Sequence, residues 1–257
     1  MATSNTGLFV WHEHMTLDPK AAIAFYTEVI GWKVQPFSDT SDYMMWVGSQ
    51  GPLGGVVKLP DAAVKMGAPP HWMGHVQVDN VDATVALATR RGAKLYVAED
   101  IPNVGRFAVL ADPQGAQLSV FTPSGPMPLH DTNKEGEFCW NELVTSDVPA
   151  ALDFYAALFG WKVTREVDMG PMGTYRMLGV GDRSAGGLMA IPTGAPMPPA
   201  WVHYAETSDL DATMKRATSK GGKVLMGPEE IPGGGRIAQL TDPQGGVFAL
   251  HQAARKA

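Results

Sequence analysis

The residues best equipped for chemistry come as two matching pairs, Trp11 with Glu13 and Trp140 with Glu142, each an indole followed two positions later by a carboxylate. In an extended strand, positions i and i+2 share a face, so each pair presents stacking area beside a directed acceptor. That combination suits an organic ligand with a flat or apolar body and a hydrogen-bonding or cationic edge. A carboxylate recessed among apolar neighbours also has a raised pKa, the condition for a general base, which makes Glu13 and Glu142 the candidate catalytic groups. A competing reading pairs each with an arginine, Arg106 or Arg236 of the repeated Ile-Pro-x-x-Gly-Arg segments.

Other donor-bearing residues are weaker candidates. His12 and His14 flank Glu13 at a spacing that could make a metal pair on one strand face. Their equivalents in the second half are Asn141 and Leu143, which puts His14 on the face beneath a helix and favours a local hydrogen bond. His75 aligns with Tyr204, so a hydrogen-bonding ligand contact fits both positions better than a metal does. The single cysteine, Cys139, excludes an intrachain disulfide framework; it aligns with Val10 and reads as a strand thiol rather than a nucleophile. A net charge of −6 with no Lys/Arg cluster excludes a nucleic-acid backbone as partner. No run approaches the roughly 18 apolar residues of a membrane span. Met1 to Gly7 lacks the charged-then-apolar pattern of an export signal, so a cytoplasmic location is expected.

These pairs repeat because the chain is a duplication. Phe9 to Phe37 and Phe138 to Glu166 align without a gap and share 13 of 29 residues, which is beyond coincidence. Near the ends of the halves, Asp112-Pro113-Gln114-Gly115 recurs as Asp242-Pro243-Gln244-Gly245. Each half is of ordinary domain size, and the polar stretch from Pro123 to Gly136 reads as the linker between them. Within a half, a strand over Phe9 to Thr16 leads to a helix capped by Asp18 with Pro19 at its first position, and Gly31 stops it. Strands are expected over 32–36, 43–47 and 53–59. The order then restarts with a strand over 71–78, a helix over 81–91 and strands over 94–97, 106–111 and 117–121. The Asp-Pro-Gln-Gly tetrapeptide fits a type I turn joining the last two strands.

The strand leading to Asp18, the helix with Phe25-Tyr26 and Gly31-Trp32, then Asn80-Val81-Asp82-Ala83 and Asp112-Pro113-Gln114-Gly115, resemble the vicinal oxygen chelate superfamily of glyoxalases, bleomycin-resistance proteins and extradiol dioxygenases. The resemblance covers the chain twice. It implies an α+β fold of four βαβββ units forming two tandem glyoxalase-like domains with curved mixed sheets: residues 1–123, a linker over 124–136, and residues 137–257. It also implies a ligand cavity on each concave face, lined by Trp11, His75 and Gln77 in the first half and by Trp140, Tyr204 and Glu206 in the second. The extra carboxylate of Glu206 makes the second half the more acidic and the better match to a cationic ligand. Metal-dependent relatives carry His, Glu or Gln at positions that here are Trp11, Met73 and Ser119, and Trp140, Val202 and Ala249. Neither a metal nor another cofactor is therefore expected. Two functions remain open: a protein that binds a small organic molecule without the usual metal, or a glyoxalase-like lyase or hydroxylase/dioxygenase-type enzyme acting on a small carbonyl or aromatic metabolite.

Overall fold

The computed structural model describes residues 5–38, 43–195 and 197–254; the outermost residues of the two expected domains, 1–4 and 255–257, lie outside them. The first half runs β1 (Phe9–Thr16), α1 (Pro19–Val29), β2 (Lys33–Pro36), β3 (Met44–Gly48), β4 (Gly51–Lys58), α2 (Asp61–Lys65), β5 (His71–Gln77), α3 (Val81–Arg90), β6 (Lys94–Ile101), β7 (Gly105–Ala111) and β8 (Gln117–Pro123). The second half repeats it, with no counterpart of α2 among the described residues: β9 (Phe138–Thr145), α4 (Val148–Phe159), β10 (Lys162–Asp168), β11 (Thr174–Val180), β12 (Arg183–Ala190), β13 (Ala200–Glu206), α5 (Leu210–Ser219), β14 (Lys223–Glu230), β15 (Arg236–Thr241) and β16 (Val247–Gln252). The elements form two open, curved, mixed sheets of order β2-β3-β4-β1-β5-β8-β7-β6 and β10-β11-β12-β9-β13-β16-β15-β14. Within each βαβββ module the first strand is parallel to the last, as in β1 with β4 and β13 with β16, and the intervening pairs are antiparallel.

Helix signals in the sequence act as expected. Asp18 accepts from the Ala21 N–H at 3.1 Å and Asp147 from Ala150 at 3.0 Å, each satisfying an orphan donor of the first turn. Two expectations need amendment. The short helix α2 carries no buried residue, so no apolar period announces it. Strand β6 continues to Ile101 rather than stopping at Val97, because it is a largely exposed outer strand whose residues show no inward face to count.

The chain gathers into two compact units, one of residues 1–10, 73–129 and 140–201, the other of residues 11–72, 130–139 and 202–257. Each has its own core. In the first unit, Val76, Leu110, Leu118 and Val120 pack with Leu143, Tyr155, Trp161, Leu178 and Leu188. In the second, Phe25, Tyr26, Val29, Trp32, Trp46 and Trp72 pack with Leu210, Leu240, Phe248 and Leu250. A core of either kind draws on both sequence halves.

The motifs that mark the fold fasten those cores. In the second unit, Tyr26 donates its hydroxyl to Asp242 Oδ2 at 3.2 Å and accepts from Trp72 Nε1 at 2.9 Å, while Trp32 Nε1 donates to the Gly136 carbonyl at 2.6 Å. The first unit repeats this: Tyr155 donates to Asp112 Oδ2 at 2.9 Å and accepts from Trp201 at 3.1 Å, and Trp161 donates to the Gly7 carbonyl at 2.6 Å. Meanwhile Asp112 Oδ1 holds its own turn together by accepting the N–H groups of Gln114, Gly115 and Ala116. The Phe-Tyr pair is thus core, and its hydroxyl is a bonded part of that core.

Candidate functional site

In the second unit, Trp11 and Glu13 lie on β1, where Glu13 sits opposite Gly55 of β4, and Tyr43 immediately precedes β3. Trp11 Nε1 donates to the Tyr43 hydroxyl at 3.0 Å, and that hydroxyl donates to the Glu13 carboxylate. The result is a relay from indole N–H to phenol to carboxylate. Burial pushes the Glu13 carboxyl above its ordinary value, with the Tyr43 hydrogen bond acting the other way. Burial and the adjoining Glu13 charge push the Tyr43 phenol far above its ordinary value, so it stays a donor at any working pH.

The first unit builds the same relay from Trp140 and Glu142 on β9 and Tyr175 on β11. Trp140 Nε1 donates to the Tyr175 hydroxyl at 2.6 Å, and Tyr175 donates to Glu142. Glu142 is buried and sits opposite Gly187 of β12. Burial, then the Glu142 charge, drive the Tyr175 phenol far upward as they do Tyr43. Both relays depend on a glycine. A β-carbon at Gly55 would overlap the Tyr43 hydroxyl, and one at Gly187 would overlap that of Tyr175. Tyr43 and Tyr175 are not among the residues expected from sequence. Their signal is a tyrosine 12 residues before the second glycine of a Gly-Gly pair, present in both halves.

The two arginines named as alternative partners are engaged elsewhere. Arg106 pairs with Asp82 at 2.9 Å and Asp100 at 3.2 Å, and Arg236 pairs with Asp211 at 2.8 Å, all of them outward-facing carboxylates. The His12 and His14 rings are buried and serve different neighbours. His12 stacks on Phe138 at 3.9 Å, whereas His14 stacks on Trp72 at 4.8 Å with Nε2 3.1 Å from Asp242 Oδ2. His14 therefore lies in the core beneath the helix, as its alignment with Leu143 implies.

The remaining expected ligand contacts fall as follows. His75 and Gln77 lie on β5 in the first unit; His75 is buried with the Phe107 and Phe121 rings each at 6.5 Å. Gln77 Oε1 is a buried acceptor without a hydrogen-bond partner among the described residues, a position that calls for a donor from a ligand or water. Tyr204 and Glu206 lie on β13 in the second unit. Tyr204 accepts from Gln239 Nε2 at 2.9 Å. The Glu206 carboxylate faces His251 Nδ1 at 2.5 Å and accepts from the Ala253 N–H at 3.0 Å, so part of its acceptor capacity is taken within the fold.

The positions that hold metal in relatives do not fit one here. The Trp11 and Trp140 nitrogens are donors already committed to tyrosine, Met73, Val202 and Ala249 are buried core residues, and the buried Ser119 hydroxyl donates weakly to the Val120 carbonyl at 3.5 Å. A hard or borderline cation finds no ligand set among them.

Residues 139–250 match the Glyoxalase/Bleomycin resistance protein/Dioxygenase superfamily, and residues 12–121 match its glyoxalase-like domain. The chain is 34% identical to the "Putative glyoxylase CFP32" of Mycobacterium bovis, over 93% of this chain and 92% of that protein. It is 30% identical to the anthracycline biosynthesis protein DnrV of Streptomyces peucetius, over 95% and 92%. Among solved structures, 2,2',3-trihydroxybiphenyl 1,2-dioxygenase of Sphingomonas wittichii superposes with a TM-score of 0.67 at 14% identity, covering 98% of this chain and 92% of that one. The Mn(II)-bound glyoxalase of Novosphingobium aromaticivorans superposes with a TM-score of 0.64 at 16% identity, covering 98% and 84%. Those two likenesses concern the fold; the sequence matches, which span both halves, make this chain a member of the glyoxalase/bleomycin resistance/dioxygenase superfamily.

Proposed function

We propose that each half recognises a small organic molecule at its Trp–Tyr–Glu relay, without a metal at the positions its relatives use. The observation that carries this reading is the relay's duplication together with the glycine that makes room for it. Core packing alone has no use for a phenol hydroxyl seated on a carboxylate, with a β-carbon excluded on the neighbouring strand. The tyrosine orients the carboxylate, a group with roughly four acceptor sites. The indole supplies a face for an aromatic body. The kinship with an anthracycline biosynthesis protein makes flat polycyclic aromatics the first class to try.

A second reading has its own observation. Burial raises the Glu13 pKa and so makes it a stronger base than an ordinary carboxylate, as an enzyme that takes a proton from a small carbonyl or aromatic metabolite would need. Titration with an anthracycline, followed by tryptophan fluorescence, tests the binding reading. We expect saturable quenching, weakened roughly 10- to 100-fold by Glu13→Gln and Glu142→Gln together, the equivalent of about 1–3 kcal/mol for a charge-assisted contact. Unchanged affinity in a folded double variant would sink it. Turnover of a bound probe that is lost in Glu13→Gln would move the protein to the enzyme reading.

A further inference from the structure

Three strands of the second unit converge on a set of donors that the ligand reading does not use. Cys139 near the start of β9, Glu206 at the end of β13 and His251 on β16 bring one sulfur, one oxygen and one nitrogen within 4.8 Å of one another. Their backbones are held there by the sheet. Glu206 and His251 are register partners on parallel strands, and the Glu206 N–H donates to the Glu137 carbonyl at 2.9 Å. Ligands mounted on paired strands keep their relative positions better than ligands on loops. The His251 side chain is 24% exposed and that of Glu206 9%, so a small ion reaches the set from the histidine edge while the carboxylate stays largely desolvated.

We propose that Cys139, Glu206 and His251 form a binding site for a zinc-type divalent ion, distinct from the position at which metal-dependent relatives hold theirs. A thiolate, an imidazole and a carboxylate together match a borderline-soft cation rather than magnesium or calcium. With tetrahedral bond lengths, the donors of such a site stand about 3.3–3.6 Å apart. The Glu206 and His251 atoms, now 2.5 Å apart, need to part by roughly 1 Å to reach that spacing. On binding, the thiol proton leaves to solvent and the neutral imidazole carries its ring proton on Nε2, so that the thiolate, Nδ1 and the carboxylate face the ion. Three protein donors leave a fourth position for water or an added molecule. The first half supplies an internal control, because the aligned residues there are Val10, Gln77 and Phe121, which lack the sulfur and the imidazole. One ion per chain is therefore the expected stoichiometry.

The site is independent of the relay and is tested separately. Untagged protein, stripped with chelator and shown by thiol titration to hold its cysteine reduced, is titrated with Co2+ as a spectroscopic probe. The expected result is one equivalent bound, with an intense thiolate-to-cobalt band in the near ultraviolet that Zn2+ abolishes. Cys139→Ser should remove that band, and Cys139→Ser, Glu206→Gln and His251→Ala should each weaken binding by at least about tenfold. Far-ultraviolet circular dichroism confirms that each variant is folded. No binding, cobalt bound without the thiolate band, or a titration unaltered in folded Cys139→Ser would overturn the proposal.

Discussion

Gly55 and Gly187 have no functional group, yet the relays rest on them, since each leaves the space that a tyrosine hydroxyl fills opposite a glutamate. Replacing either with alanine forces the phenol away or the strands apart, and we expect a loss of about 1–3 kcal/mol in urea denaturation. The same change should weaken ligand-induced quenching in the affected half. Glu13 makes a pH-dependent prediction. Its folded pKa lies above the ordinary 4.5, so the folded state holds its proton more tightly than the unfolded chain does. Stability therefore falls as pH rises from that ordinary value through the folded value. Glu13→Gln removes this dependence, so its stability relative to the parent should improve as pH rises across that window; a constant difference in urea melts would count against a buried, raised carboxyl. Trp11, Glu13, Trp140 and Glu142 were legible in sequence because strand alternation and the 129-residue repeat both point to them. Tyr43 and Tyr175 were not, because three inserted residues move the second tyrosine to an offset of 132 and hide the match.

At the scale of elements, the turn aspartates set apart two otherwise matched halves. Burial raises the Asp112 carboxyl above its ordinary value, despite hydrogen bonds from Tyr155 and the turn N–H groups. Burial pushes Asp242 the same way, but His14 and its turn N–H groups outweigh it and hold that carboxyl below its ordinary value. The difference traces to one strand position, occupied by His14 in β1 and by Leu143 in β9. Tyr155→Phe leaves Asp112 Oδ2 without its donor and should cost about 1–3 kcal/mol. Tyr26→Phe should cost less, because Asp242 keeps the histidine. Equal losses in urea denaturation would contradict the asymmetry. Helix starts, the glycine stops and the Asp-Pro-Gln-Gly turns were readable from capping and turn chemistry alone. The hydrogen bond from each Phe-Tyr hydroxyl to an aspartate in the other half was not, because an apolar period tells which face of a helix is buried and nothing about what covers it.

At the scale of the whole molecule, the duplication and the four modules follow from the repeated motifs, whereas the grouping of modules into cores does not. The strands of the two sheets fall within residues 9–123 and 138–252, and each compact unit draws on both. Expressed alone, either half lacks the acceptors of its tyrosine and of its Gly-Trp indole, since these are Asp242 and Gly136 for the first half and Asp112 and Gly7 for the second. We expect each isolated half to melt at lower urea than the full chain and the two to regain stability on mixing; halves that melt like the full chain would establish them as self-sufficient domains. The interleaving also bears on how the protein is made. The unit that contains α1 needs residues from 202 onward, made more than 170 positions after the helix, so part of the cover of α1 arrives long after the helix itself. At ordinary elongation rates that wait is about 10–40 s. A nascent chain of this protein thus carries the part of the Phe25, Tyr26 and Val29 surface that Leu210, Leu240, Phe248 and Leu250 cover exposed far longer than a chain whose domains close in order, and a ribosome-associated chaperone would find its binding window there.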